Sequence, residues 1–220
     1  MMKTIVAQSR QALQLIAHAP SIGVVSLVYS GLIQAASIRA DLLDIANPWW
    51  IVTIGLILLL SPHYHMVVIG KVSAILSKQS FSWRALPIEA FAALVAGELL
   101  VNAGVIAGSA AFLLPGIYLG LRAIYYKQAI ILHKARALAG IQQSFRMTAP
   151  PRVMLQILLM FSVSYCIPLA VDFLVMPAMQ SLWVHVIAIL VSTGFVAWIN
   201  VYVTISFYRL VDSNESAECP

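Results

Sequence analysis

The sequence predicts an all-α, polytopic membrane protein: a bundle of six transmembrane helices with amphipathic helices at the membrane surface. Three observations lead there. Of the 220 residues, 61% are hydrophobic and only 10% charged. A soluble domain carries roughly 45–50% apolar and about 25% charged residues. The apolar residues also gather into runs near the ~20 residues that a spanning helix needs. Finally, the basic residues cluster in alternate connections between those runs, as the positive-inside rule requires. With a mean hydropathy of +0.92, no stretch is long and polar enough for a soluble domain, so residues 1–211 read as a single membrane domain.

Residues 3–18 mix Lys3, Arg10, Gln8, Gln11 and Gln14 with Ile5, Ala12, Leu13 and Ile16. This helical spacing suits an interfacial amphipathic helix. The first span is expected at 21–38, opened by Pro20 and Ser21 and closed by the polar patch from Arg39 to Asp44. The polar lead-in is long and the run nearly spans a bilayer, so it reads as a span rather than a cleaved signal. Paired Trp49 and Trp50 mark the edge of the second, 48–69, as interfacial aromatics do. The third, 88–112, is rich in Ala and Gly, with Gly104 and Gly108 at the spacing that favours close helix packing. Leu114-Pro115-Gly116 reads as a sharp turn, so the fourth span, 117–132, pairs with the third in a hairpin. A basic amphipathic segment follows at 134–148, with Leu138, Ile141 and Phe145 on one face, then spans at 153–176 and 182–208. The acidic tail, 212–220, is expected to be disordered.

Six spans place Lys3, Arg10, Lys71, Lys78, Arg84, Lys127, Lys134, Arg136, Arg146, Arg152 and Arg209 on one side. The other side holds Arg39 with Asp41 and Asp44. Both termini should then be cytoplasmic. The net charge of +5 fits orientation and contact with anionic lipid, not nucleic acid. Cys166 and Cys219 have no metal-ligand spacing and lie in separate segments, so no disulfide between them is expected.

From Leu113 the residues read Leu-Leu-Pro-Gly-Ile-Tyr-Leu-Gly-Leu-Arg, ending at Arg122; Ser144-Phe145-Arg146-Met147-Thr148 follows later. This pair resembles the signature of YciC-like bacterial inner-membrane proteins, shared with the membrane domain of some glycerophosphodiester phosphodiesterases. The resemblance covers most of the chain and implies six-span architecture and an inner-membrane location. It singles out Pro115, Gly116, Tyr118, Arg122, Ser144, Arg146 and Thr148 as a structural or lipid-headgroup motif. The family often has an acid where His133 stands and Trp where Phe145 stands. The sequence shows no catalytic run of His, Glu and Asp in a soluble α/β segment, so the phosphodiesterase activity is not expected to carry over.

Glu98 lies mid-way along the third span, with Asn102 one turn on. An ionisable group at that depth is costly and calls for a partner. At 1.5 Å per residue Glu98 stands ~22 Å before the turn, Lys127 ~18 Å after it and Arg122 only ~10 Å after it. Lys127, Tyr125 or Tyr126 is therefore the expected partner. Glu98, Asn102 and Lys127 form the candidate intramembrane polar site, either a packing bond or a path for protons or solute. Arg122 is expected to snorkel to the outer interface, to bond the free carbonyls of the turn, or to meet an anionic headgroup. Asp172 reads as interfacial. His63 and His65 point ~200° apart on a helix and form no metal site with His133 or His185. No nucleophile set, phosphate loop or cofactor motif is present in the sequence. The expected function is non-catalytic: organising membrane lipids, anionic ones included, or a membrane-protein partner or second copy, in support of the envelope. The alternative is a small transporter or channel through Glu98, Asn102 and Lys127.

Overall fold

The computed structural model describes residues 2–39, 49–82, 87–175 and 182–218. Among them there is no strand, and the helices in order are α1 (Met2–His18), α2 (Pro20–Arg39), α3 (Trp49–Leu76), α4 (Ile88–Ala111), α5 (Leu113–Arg122), α6 (Tyr126–Leu132), α7 (Ala137–Met147), α8 (Pro151–Val175) and α9 (Leu182–Glu218). The connections expected around Asp41 and Asp44 and near Pro177, together with Arg84 and Cys219, lie outside the described residues. So do the side chains of Arg39, Cys166, Asp172 and His185.

Among the described residues three helices are long and apolar enough to cross a membrane: Ile54–Leu76, Ile88–Ala111 and Thr193–Asp212. A fourth arises if Lys3–His18 and Pro20–Tyr29, bent by 89°, are taken as one span. The expected first and fifth spans are present as helices α2 and α8, although the described apolar stretch of α8, Pro151–Val163, is short of a bilayer. The expected fourth span, 117–132, is not one helix but two, α5 and α6, separated at 123–125. Large apolar side chains stand bare on the outside, among them Ile106 (69% exposed), Leu113 (67%) and Leu59 (61%). Lipid accepts what water would reject.

The reversal between α4 and α5 also departs from expectation. It is made at Phe112, whose φ of −158° and ψ of 142° are extended, and Pro115-Gly116 sits inside the first turn of α5. Proline costs nothing there, because the first N–H groups of a helix have no intrahelical acceptor. Gly116 is needed for approach. A Cβ on it would lie 2.7 Å from the Val105 carbonyl oxygen and 2.8 Å from the Ser109 nitrogen.

The core is built around α6. Tyr125 and Ala129 join Tyr64, Val68, Val72, Val201, Ile205 and Phe207 in one buried cluster. Tyr126 and Ile130 turn the other way, onto Met66, Ala90 and Leu94. α7 runs back along α6 and buries Gly140, Ser144 and Met147. Leu138, expected on its apolar face, is exposed, because the small residues Gly140 and Ser144 are what allow α7 to close on α6. α1 lies across the bundle and buries Gln8 as well as Ala12. Gln156 Nε2 donates to Gln8 Oε1 and to the Tyr202 hydroxyl, both at 2.8 Å, and Arg209 Nη2 donates to Gln11 Oε1 at 3.0 Å. The acidic residues from Asp212 to Glu218, expected to be disordered, continue α9 as helix.

Candidate functional site: a buried ion pair and a stitched helix break

α3, α4 and α6 converge on Glu98, which is 5% exposed. Lys127 Nζ approaches Glu98 Oε1 to 2.8 Å, and Ser61 Oγ donates to the same oxygen at 2.6 Å. Lys127 Nζ also lies 2.6 Å from His65 Nε2. An ammonium has only donors, so Nε2 of His65 accepts. Asn200 neighbours that ring, but its amide donates to the Tyr64 hydroxyl at 3.4 Å and the Val196 carbonyl at 2.8 Å. His65 Nδ1 is buried without a hydrogen-bond partner. Gly97 makes the approach of α6 to α4 feasible: a Cβ there would stand 2.9 Å from the Tyr126 ring.

Of the residues expected at this site, the structure unites Glu98 with Lys127. Asn102 is exposed and lines a groove of about 630 Å³ between α4, α5 and α8, with Ser109 and Ser162. One helical turn advances the azimuth by ~40°, enough to carry Asn102 off the face that α6 covers. Ser61 and His65 were not legible as members. Only their side of α3 turning toward α4 and α6 recruits them, and the exposed His63 shows how little neighbouring sequence says about it. Further polar side chains are satisfied between helices: Tyr64 with Ser26 at 3.1 Å, Tyr125 with Ser206 at 2.8 Å, and Tyr29 stacked on Tyr64 at 4.4 Å. Such pairings are how polar groups persist in hydrocarbon. Among the described residues no three His, Cys, Asp or Glu side chains come together to hold a metal ion.

The second set of motif residues serves the break between α5 and α6. There the Tyr126 N–H bonds the Ala123 carbonyl at 3.0 Å, not the Arg122 carbonyl that helical order would give it. The freed Arg122 carbonyl accepts from Ser144 Oγ at 2.7 Å and from Thr148 Oγ1 at 3.3 Å. Ser144 Oγ in turn accepts from the Tyr125 N–H at 3.0 Å. One hydroxyl thus satisfies a donor and an acceptor, and a buried backbone group left alone would be expensive. Bonding of the turn's free carbonyls is one role expected of the Arg122 side chain, and it does not make those bonds. Its guanidinium carbon lies over the rings of Tyr118 and Phe145, 5.7 and 5.4 Å from their centroids. Arg146 is exposed on the outer face of α7.

Compared with protein-family models, curated proteins and solved structures, the chain matches none of them.

Proposed function

We propose that this chain is a non-catalytic, multi-pass protein of a bacterial inner membrane that organises lipid or a partner protein at the cytoplasmic face. It crosses six times, with both termini cytoplasmic, as its resemblance to YciC-like proteins implies. The observation that carries the reading is the Glu98–Lys127 pair. A carboxylate and an ammonium neutralise each other, Ser61 and His65 take further bonds, and Glu98 is buried. Groups so engaged hold helices together, whereas a transport path would need Glu98 open and Asn102 beside it. The basic, membrane-facing segments α1 and α7 supply the organising surface, since each Lys or Arg near an anionic leaflet is worth about 1 kcal/mol.

The test is proton and ion flux in proteoliposomes, comparing the native chain with Glu98→Gln and with the folding-safe double variant Glu98→Gln/Lys127→Met. The expected result is no flux above empty liposomes in any of them. Flux through the native protein that both variants lose would make it a transporter and overturn the proposal.

A further inference from the structure

Arg122 and Lys127 are separated by five positions on the same broken span, yet the chain treats them oppositely. Lys127 receives Glu98. Arg122 is half-buried, and among the described residues its guanidinium has neither an ion pair nor a hydrogen bond. Its Nε is enclosed without a partner, and its contacts are the ring faces of Tyr118 and Phe145. A guanidinium has five N–H donors and cannot shed its proton, so a site that offers it only aromatic faces leaves its charge to be met from outside the chain.

Among the described residues no acid pairs with it. Between Glu98 and Asp172 the sequence contains no Asp or Glu, while it contains Arg122, Lys127, Lys134, Arg136, Arg146 and Arg152. Glu98 is already taken by Lys127. The surroundings add to the positive field. Thr148, which holds the Arg122 carbonyl, lies two residues after Arg146 and four before Arg152, both exposed.

Resting on the lipid-organising reading above, we propose that the Arg122 guanidinium binds the phosphate of an anionic phospholipid. Tyr118 and Phe145 wall the seat, and Arg146 and Arg152 supply long-range attraction. The two rings, 5.7 and 5.4 Å from the guanidinium carbon, hold the group in place for the two-pronged contact that arginine makes with phosphate oxygens. The exposed apolar side chains of the same helix, Leu113, Leu114 and Ile117, favour a phosphate tethered to acyl chains over a soluble one. The stitch by Ser144 and Thr148 acquires a purpose: by fixing the break it fixes where Arg122 leaves the helix.

The experiment uses the full chain in detergent and reads the unfolding midpoint during titration with short-chain phosphatidylglycerol, phosphatidylcholine or inorganic phosphate. Phosphatidylglycerol should raise the midpoint most. Arg122→Gln should weaken its apparent affinity by about tenfold, since hydrogen bonds to a charged group are the strong ones. Arg152→Gln, which removes only distant charge, should change it by ~twofold or less. If Arg122→Gln does not fold, Tyr118→Leu removes an exposed wall and should weaken binding several-fold. Native-like affinity in Arg122→Gln, or in Tyr118→Leu where that is the variant read, overturns the site. So does an equal response to phosphatidylcholine, and an equal response to inorganic phosphate overturns the lipid as its source. Flux in the proteoliposome assay would overturn the scaffold reading while leaving this titration intact, so the two failures are distinguishable.

Discussion

At the scale of single residues, the pairing of Glu98 with Lys127 shows what height along a hairpin can reveal. With the reversal at Phe112, Glu98 lies ~21 Å before it and Lys127 ~22 Å after it, so α6 presents its lysine level with the carboxylate. Ser61 and His65 share that level but belong to α3, whose height relative to α4 depends on a connection that carries no such ruler. The energetic consequence is asymmetric. A buried pair contributes modestly as a unit, but removing one partner strands the other charge and costs about 3–5 kcal/mol. Glu98→Gln leaves the Lys127 ammonium with only His65, and Lys127→Met leaves the carboxylate with only Ser61. Each should destabilise the protein in SDS-driven unfolding by about 3 kcal/mol, and Glu98→Gln/Lys127→Met by much less than the sum. Additive costs in the double variant would mean that the two groups do not interact in the membrane.

Among helices, the pairing of α4 with α5 was legible and the break after α5 was not. Pro115 and Gly116 signal a reversal, and one occurs, though three residues earlier. The misplacement arises because proline marks both turns and helix starts, and only the backbone distinguishes them. The break at 123–125 has no such marker: Arg122-Ala-Ile-Tyr-Tyr contains neither glycine nor proline. Its cause lies about twenty residues on, in the Ser144 and Thr148 hydroxyls that accept or donate what the helix gives up. The motif was visible in the sequence, but its partner was the arginine's carbonyl, which every residue has. The extension of α9 through Glu218 was hidden likewise, since an acidic, polar composition reads as tail. The glycines of α4 and α5 separate close approach from mere smallness. Gly116→Ala would drive its methyl into the backbone of Val105 and Ser109, which cannot rotate away, whereas a methyl at Gly104 would meet only Leu119 Cδ1 at 3.9 Å. Gly116→Ala should therefore cost ~3 kcal/mol or prevent hairpin formation, as overpacking does. Gly104→Ala should be neutral within ~1 kcal/mol or stabilising. Equal effects in the same unfolding assay would show that the helices do not approach through Gly116.

For the whole molecule, the number of crossings is constrained by where the chain's two ends meet. Gln11 of α1 accepts a hydrogen bond from Arg209 near the end of α9, which fits the proposed topology, with both ends on one side and an even number of crossings. The choice falls between the three or, with the bent pair, four spans that the described helices allow and the proposed six. It turns on whether α5 and α6 together cross. Contacts along α4 give their course: Gly116 meets Gly108, Leu119 meets Gly104, Tyr126 meets Gly97 and Lys127 meets Glu98. α6 therefore continues antiparallel to α4 despite the break, and residues 113–132 reach about 30 Å, the thickness of the hydrocarbon core. The bases support the same side for residues 133–136, since Lys134 and Arg136 would otherwise be translocated against the positive-inside rule. Alkaline phosphatase fused after residues 46, 80, 135 and 179 decides it, because the enzyme is active only outside the cytoplasm. Six spans require activity at 46 and 179 and none at 80 and 135. With four spans, where α5, α6 and α8 fail to cross, the fusion at 135 becomes active while the other three keep their signs. That single position carries the topology, and with it the placement of Arg146 and Arg152 at the leaflet where anionic headgroups would meet them.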